Sequence, residues 1–205
     1  MVKGLFITFE GIEGCGKSTH ANLLAEYLSG KGHTCVLTRE PGGTRLGEAV
    51  RGVLLNSKDL HISDLSELFL FEACRSQIVK DVIRPALAEK KIVICDRFSD
   101  ATFAYQGFGG NVGLDIIETL DNVATGSLIP DITILLDIDT IEGLKRAKSK
   151  GVDRMEAKDI EYHKRVRAGY MELAKKFPGR IKVIKVADQI DQTQAAIRKE
   201  IDRAI

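Results

Sequence analysis

Tryptophan, proline, cysteine and long apolar runs are all scarce in this sequence. Its 205 residues include no Trp, four Pro and four Cys, and aromatic residues make up only 6%. No apolar run approaches the roughly 18 residues of a membrane-spanning helix, and the N-terminus shows none of the features of a secretory signal. The sequence therefore predicts a protein with no membrane partner.

The four cysteines, Cys15, Cys35, Cys74 and Cys95, are far apart and form neither a CxxC nor a CxxH pair. This spacing favours reduced thiols in a cytoplasmic protein over a disulfide framework or a zinc site. Cys15 lies close to the start of a predicted helix, a position that can lower a thiol pKa. We therefore form the hypothesis that Cys15 is sensitive to oxidation.

Positive and negative charges nearly cancel in this chain. Lys and Arg number 30 and Asp and Glu number 29, which gives a formal net charge of +1. Proteins that bind polynucleotides use basic surfaces to neutralise phosphates. The charge balance therefore predicts no polynucleotide partner, so that any nucleotide bound here should be small.

Short β-rich apolar runs alternate with segments of helical periodicity. The predicted strands cover residues 5–9, 34–38, 92–95, 132–136 and 181–186. The predicted helices cover residues 17–30, 63–89, 113–124, 140–149, 158–176 and 190–204. Such alternation predicts an α/β fold with a doubly wound, mainly parallel five-stranded sheet and helices on both faces. No linker or repeat divides the chain, so we expect one domain over residues 1–205.

Two segments interrupt this alternation. Residues 39–47 contain one proline and three glycines, which predict an irregular loop after the second strand. Residues 147–158 are strongly charged and follow a predicted helix. Ligands of open α/β sheets bind beyond the carboxyl ends of the strands. We expect the loop to lie at that edge and the charged segment to close over it as a mobile lid.

Residues 11–18 match the phosphate-binding motif GxxxxGK[ST] between a predicted strand and a predicted helix. Glycines let backbone amides approach phosphate oxygens, and the helix N-terminus adds a partial positive charge. Lys17 should bridge the β- and γ-phosphates of ATP, and the Ser18 hydroxyl should bind Mg²⁺. The motif predicts a P-loop NTPase fold with an ATP site made of Gly11, Ile12, Glu13, Gly14, Cys15, Gly16, Lys17 and Ser18.

Two aspartates end predicted strands and are candidates for a second Mg²⁺ ligand. These are Asp96 and Asp137, and either carboxylate can hold the ion beside a P-loop, directly or through water. Arg97 follows Asp96 and brings a phosphate-binding guanidinium to the same edge. We therefore prefer Asp96 as the metal ligand and interpret Asp137 as structural.

Several further stretches resemble the thymidylate kinase family, and more closely its bacterial branch. After the P-loop come TREPGGT at 38–44, FEACR at 71–75, DRFSDATFAYQG at 96–107 and DRMEAKD at 153–159. They run in the family's order over roughly residues 4–175. The resemblance implies a homodimeric enzyme that uses Mg-ATP to phosphorylate dTMP to dTDP, with the long helix around 63–89 as the expected dimer contact.

The resemblance also implies roles for individual residues. Phe71 and Arg75 are four apart on a predicted helix and would bind the thymine base by stacking and by hydrogen bonding. Arg97 would contact the dTMP phosphate, while Tyr105 and Gln106 would line the deoxyribose and the base. These five residues form the predicted dTMP site.

The same resemblance supplies the remaining catalytic candidates. Glu13 would approach the acceptor sugar and the transferring group, and Arg154 would close over the phosphates with the lid. Arg146 would lie near the adenine ring. Together with Lys17 and Arg97, Glu13 and Arg154 form the predicted catalytic set.

One departure from the family pattern leaves an alternative open. Ala101-Thr102 stands where the bacterial pattern usually has Ser-Thr, so one polar contact to the base is lost unless a water or Thr102 replaces it. A kinase for another small acceptor is therefore the main alternative. A nucleotide-dependent regulatory protein without turnover is a second one. A regulatory GTPase is disfavoured because no [NT]KxD segment follows a later strand.

Overall fold

Five parallel strands form the central sheet. The computed structural model describes residues 4–57, 60–148 and 153–205, without the side chain of Lys148. The strands are β1 (Leu5–Glu10), β2 (Cys35–Arg39), β3 (Ile92–Asp96), β4 (Ile132–Asp137) and β5 (Ile181–Lys185). Their order is β2-β3-β1-β4-β5, and each neighbouring pair is parallel. The predicted α/β fold with a five-stranded parallel sheet is confirmed.

Helices connect the strands along the whole described chain. They are α1 (Lys17–Gly30), α2 (Arg45–Asn56), α3 (Asp64–Ile78), α4 (Arg84–Ala88), α5 (Ser99–Thr102), α6 (Leu114–Thr125), α7 (Thr140–Lys148), α8 (Ile160–Lys176) and α9 (Ile190–Asp202). Two wider, π-helical segments, Val79–Ile83 and Phe103–Gly109, continue α3 and α5 respectively. Among the described residues, no helix combines the length and the apolar character that a membrane crossing requires.

The side chains of β1 divide between two apolar clusters. Phe6 belongs to one with Ile78 and Ile83 of the α3–α4 segment. Ile7 belongs to the other, with Leu24 of α1. Successive side chains of a strand point to opposite faces, and both residues are fully buried. Helices therefore cover both faces of the sheet, as predicted.

The sequence did not predict the helix that follows β2. The expected loop over 39–47 is three residues too long, because α2 begins at Arg45. Thr44 caps this helix by accepting a hydrogen bond from the Gly47 amide at 2.9 Å. The glycines at 42 and 43 supply the turn before the cap, with positive φ angles of 135° and 74°.

The charged segment before α8 is one residue longer than expected at its C-terminal end. Asp159 caps α8 by accepting a hydrogen bond from the Tyr162 amide at 2.7 Å, so that this helix begins at Ile160 and not at residue 158. Residues 149–152 of the predicted lid lie outside the described residues. The predicted helix over 63–89 is confirmed as α3, the wider segment and α4 in direct succession.

Candidate active site

The P-loop turns from the end of β1 into α1 over the carboxyl edge of the sheet. Gly14 has φ 71°, and a Cβ there would collide with the carbonyl oxygen of Gly143. Gly16, with φ 92°, precedes Lys17, the first residue of α1. The amides of a first helical turn have no intrahelical partner and attract anions. This backbone is therefore shaped as a phosphate cradle.

Lys17 and Ser18 place a cation and a hydroxyl at the cradle. The Lys17 ammonium donates hydrogen bonds to the carbonyl oxygens of Gly11, at 3.0 Å, and Ile12, at 2.9 Å. The Ser18 hydroxyl donates to the carboxylate of Asp96. Asp96 ends β3 directly beside β1, which is why these two oxygens meet. A hydroxyl and a carboxylate are both oxygen ligands of the type that Mg²⁺ prefers, so this pair fits the ion.

A cavity of about 270 Å³ opens beside the P-loop. Sequence-predicted residues that line it are Glu13, Gly14, Lys17, Ser18, Phe71, Arg75, Asp96, Arg97, Tyr105 and Gln106. They come from the P-loop, from α3, from the end of β3 and from the π-helical segment after α5. The fold thus brings the predicted phosphate-binding and acceptor-binding residues to one cavity.

Arg97 joins the P-loop to two tyrosines, Tyr105 of the cavity wall and Tyr170 of α8. It adopts a left-handed backbone conformation, with φ 71°. Its guanidinium donates to Glu13 Oε1 at 3.1 Å, to the Tyr105 hydroxyl at 3.0 Å and to the Tyr170 hydroxyl at 3.2 Å. The Tyr105 hydroxyl in turn donates to Glu13 Oε1 at 2.5 Å. Glu13, Arg97 and Tyr105 are therefore one hydrogen-bonded unit.

The carboxylate of Glu13 is held in its ionised form inside the protein. Burial alone would raise its pKa, but the imidazole of His163 and the charges of Arg97 and Lys17 outweigh burial and lower the pKa to about 2. A buried carboxylate stays ionised only when hydrogen-bond donors and positive charges such as these surround it. At neutral pH this site therefore combines one buried negative charge with two cations.

Arg75 is almost completely buried and surrounded by carboxylates. Its guanidinium donates to Glu40 at 2.9 Å, to Glu72 at 2.7 Å and to Asp121 at 3.1 Å. It also donates to the Thr102 hydroxyl at 2.9 Å. The Arg75 donors are thus largely engaged within the protein, and Thr102 brings a hydroxyl to the cavity wall beside Ala101.

The carboxylates around Arg75 carry unusual pKa values. Burial raises the pKa of Glu40 to about 7, although Arg75 opposes this change. Burial has the same effect on Glu72, whose pKa is also about 7. Because three carboxyl groups share one guanidinium, this cluster can hold a proton near neutral pH.

Gln106 and Arg154 meet at a buried carboxylate on α3. Glu67 accepts a hydrogen bond from the Gln106 amide at 2.7 Å and another from Arg154 at 2.5 Å. Arg154 also donates to the Leu54 carbonyl at 2.7 Å. Its sequence neighbours Asp153 and Met155 line the cavity, whereas its own side chain is directed toward α2 and α3.

A family model and two relatives match this chain along nearly its whole length. The family model described as thymidylate kinase matches residues 9–197. A thymidylate kinase of Caldanaerobacter subterraneus is 42% identical over 204 residues, which is 100% of this chain and 96% of that protein. One from Gloeobacter violaceus is 45% identical over 201 residues, covering 97% of this chain and 94% of its own.

A solved structure shows the same fold over the whole chain. The crystal structure of thymidylate kinase from Ehrlichia chaffeensis superposes with a TM-score of 0.81 at 40% identity, covering 98% of this chain and 99% of that one. This chain belongs to the thymidylate kinase family. It is accordingly a kinase that phosphorylates dTMP to dTDP with ATP.

Six of the predicted site residues of this thymidylate kinase family member do not line the cavity: Arg146, Arg154 and four residues of the P-loop. The Arg154 guanidinium binds Glu67 and not the P-loop. Arg146 lies against the P-loop, with its Cβ 3.1 Å from the position that a Cβ on Gly14 would occupy, and its Nε donates to Glu142. Gly11, Ile12, Cys15 and Gly16 form the P-loop without lining the cavity.

Five charged residues of the cavity wall were not among the predicted site residues: Arg39, Glu40, Arg51, Asp153 and Glu156. Arg39 ends β2, Glu40 comes directly after it, and Arg51 lies on α2. Arg51 donates to the Pro41 carbonyl at 2.8 Å. Arg51 was missed because α2 was not predicted: residues 48–62 were assigned to no helix, strand or loop, so this cation had no predicted position. Arg39 and Glu40 belong to the REPGGT stretch, which resembles the family pattern, but neither residue was given a role.

Cys15 does not have the environment that our hypothesis assumed. It is 1% exposed, and burial raises its pKa despite the nearby charges of Lys17 and Arg97. The helix dipole argument is wrong here because loss of solvation outweighs it. Asp137, interpreted as structural, binds Arg167 through both carboxylate oxygens at 2.7 and 3.0 Å.

Proposed function

We propose that the cavity holds dTMP with its phosphate toward the P-loop, and that ATP binds in the cradle of residues 11–18. One observation carries this proposal. Lys17 and Arg97 line the same cavity as Phe71 and Gln106, so that phosphate-binding cations, an aromatic ring and an amide border one space. A nucleoside monophosphate matches that combination of groups.

The acceptor phosphate is assigned to Arg97, with Arg51 as a second cation of the cavity wall. The base is assigned to Phe71, Arg75 and Gln106, with the Thr102 hydroxyl in place of the one that Ala101 lacks. Binding there requires Arg75 to share its donors between the base and its carboxylates. Tyr105 lies between these groups, where its ring restricts the space beside the sugar.

Transfer consists of in-line attack by an acceptor phosphate oxygen on the γ-phosphorus, with ADP as the leaving group. Such reactions depend on positioning and on neutralisation of charge. Lys17 and Arg97 supply positive charge at the two phosphates, and Glu13 fixes Arg97. Arg154 is assigned to the lid and Arg146 to the adenine end of ATP.

Mg²⁺ is assigned to Ser18 and Asp96, whose oxygens meet at the end of the P-loop. The ion would neutralise the β- and γ-phosphate charge of ATP when bound. Because Mg²⁺ usually keeps several waters and takes one or two carboxylates, a single Asp beside a hydroxyl is an adequate site.

A homodimer is proposed through α3 and its neighbour α6. Leu65 and Phe69 are 46% and 53% exposed and lie four residues apart on α3. Val123 on α6 is 77% exposed. Contiguous exposed apolar surface marks interaction sites. Sedimentation of the wild type should give a dimer, and Phe69→Asp should give a monomer; a wild-type monomer would contradict this assignment.

The cytoplasm is proposed as the site of the reaction, since the four cysteines are free thiols and suit a reducing compartment.

Release of ADP from Mg-ATP tests the proposed acceptor. The acceptors are dTMP, dUMP, ribo-TMP, CMP, AMP and none, with Lys17→Ala as the control for contaminating kinases. We expect turnover with dTMP well above every other acceptor. Preference for another nucleotide would refute the assignments of Phe71, Arg75 and Tyr105 while leaving the P-loop assignment intact.

A further inference from the structure

The imidazole of His163 is fully buried beside the P-loop, and none of the roles given above uses it. His163 is the fourth residue of α8 and its exposed fraction is 0%. Within the described residues, neither ring nitrogen has a hydrogen-bond partner. Buried polar groups are nearly always hydrogen-bonded, and a group that is not usually has a specific role.

The His163 ring faces a carboxylate oxygen that is also unsatisfied. Nδ1 of His163 lies 3.4 Å from Oε2 of Glu13. Glu13 Oε1 accepts from Arg97 and Tyr105, but Oε2 accepts no hydrogen bond from any described residue. A movement of a few tenths of an ångström brings this pair to hydrogen-bond distance. Two unsatisfied groups therefore meet within the P-loop site.

The chemistry of the pair fixes the direction of the bond. An ionised carboxylate only accepts hydrogen bonds, so the proton must lie on Nδ1 of His163. The charged or titratable groups that act on Glu13 besides His163 include Lys17, Arg97 and Tyr105, and Cys15, Glu156 and Tyr162 also lie within its electrostatic reach. Tyr162 packs edge-to-face on the imidazole with ring centroids 5.4 Å apart, which holds the ring plane.

We infer that His163 is a positioning residue: its Nδ1–H donates to Oε2 of Glu13 and holds that carboxylate, with Arg97, in place for the acceptor. The inference rests on the role proposed above for Glu13.

Imidazole ¹⁵N NMR tests the hydrogen bond without reference to turnover. His163→Asn identifies the ring signals by their loss from the spectrum. We expect His163 to carry a proton on Nδ1 and its signals to shift in Glu13→Gln. A ring protonated only on Nε2, or signals unaffected by Glu13→Gln, would overturn the inference. Full turnover of Glu13→Gln would instead count against the role of Glu13, so the two failures are distinguishable.

Two substitutions at position 163 test the consequence for catalysis. His163→Leu keeps the size of the side chain and removes the donor, whereas the amide nitrogen of His163→Asn lies near the position of Nδ1. We expect kcat to fall at least tenfold in the Leu variant and to recover most of that loss in the Asn variant, with the KM for ATP nearly unchanged. Thermal unfolding verifies that both fold. Equal kcat in the two folded variants, or a folded Leu variant with wild-type kcat, would overturn the positioning role; if the Leu variant does not fold, the NMR result decides.

Discussion

Arg154 donates a 2.5 Å hydrogen bond to Glu67, a carboxylate whose other oxygen accepts from Gln106. The predicted lid arginine and a predicted acceptor-binding residue thus share one buried anion. For Arg154 to reach the phosphates it must leave Glu67, which is 3% exposed and would lose its cation. Because an unpaired buried charge is costly, the position of the lid and the occupancy of the acceptor site should be linked.

Arg154→Ala should lower kcat by one to several orders of magnitude, about 1.4 kcal/mol for each factor of ten. The reason is loss of positive charge that stabilises the transferring group, while the KM for dTMP should change little. Steady-state kinetics measure both parameters. Lys164→Ala, which removes an exposed cation of α8, is the control and should behave as wild type.

Glu67→Gln distinguishes a role of Arg154 at the phosphates from a role in its pairing with Glu67. If Arg154 acts on the phosphates, this variant should unfold more easily, by about 1–3 kcal/mol, but should keep most of its kcat. A kcat as low as that of Arg154→Ala would mean that the arginine acts chiefly through its bond to Glu67.

Lys17→Ala should abolish turnover and leave the protein folded. The ammonium is placed by two carbonyl oxygens of the P-loop, and alanine supplies neither its charge nor its reach. ADP release with dTMP measures activity, and far-UV circular dichroism with thermal melting measures folding. Lys175→Ala on the exposed side of α8 is the matched control. Turnover by the folded Lys17→Ala protein would refute the P-loop assignment.

The sequence predicted the fold because its signals there are local and repeated. Hydrophobic runs such as residues 92–95 mark buried strands, and the glycines of residues 11–18 mark the cradle. It did not predict α2, because Gly42 and Gly43 indicate a loop. The helix nevertheless begins at Arg45, directly after the Thr44 cap.

The sequence did not predict which side chains bind each other within the site. Arg75 was expected to face the base. Glu72 lies three residues before it on α3, but Glu40, which follows β2, and Asp121 of α6 lie at sequence separations that no periodicity connects. Glu67 and His163 were not singled out, because a lone acid and a lone histidine on predicted helices look like ordinary surface or core residues. Tertiary contact alone reveals them.

Alkylation should modify Cys15 more slowly than Cys35. Cys15 is buried and its pKa is raised by loss of solvation, whereas Cys35 is half-buried. Only the thiolate reacts, so burial lowers both access and reactivity. Timed treatment with N-ethylmaleimide followed by peptide mass spectrometry gives both rates. Faster modification of Cys15 with parallel loss of activity would restore the oxidation hypothesis.

Glu10→Gln should weaken the dependence of stability on pH. Glu10 ends β1 with 0% exposure and accepts hydrogen bonds from the Phe98 amide and the Tyr170 hydroxyl, each at 2.7 Å. Burial, followed by the neighbouring charge of Asp100, raises its pKa from 4.5 to about 8. Between these two pH values the folded protein keeps a proton that the unfolded chain has released.

The sign of the effect follows from that difference in bound protons. Since the folded state binds more protons, the free energy of unfolding falls as pH rises from about 4.5 to 8, by at most about 1.4 kcal/mol per pH unit for one group. Glutamine has no proton to lose, so the slope should decrease in Glu10→Gln. It should not vanish, because Glu40 and Glu72 have pKa values of about 7 and act in the same direction.

Urea unfolding at fixed protein concentration from pH 5 to 9, with exposed Glu26→Gln as the control, measures the slopes. Identical slopes for wild type and Glu10→Gln would show that Glu10 ionises in the folded protein as readily as in the unfolded chain.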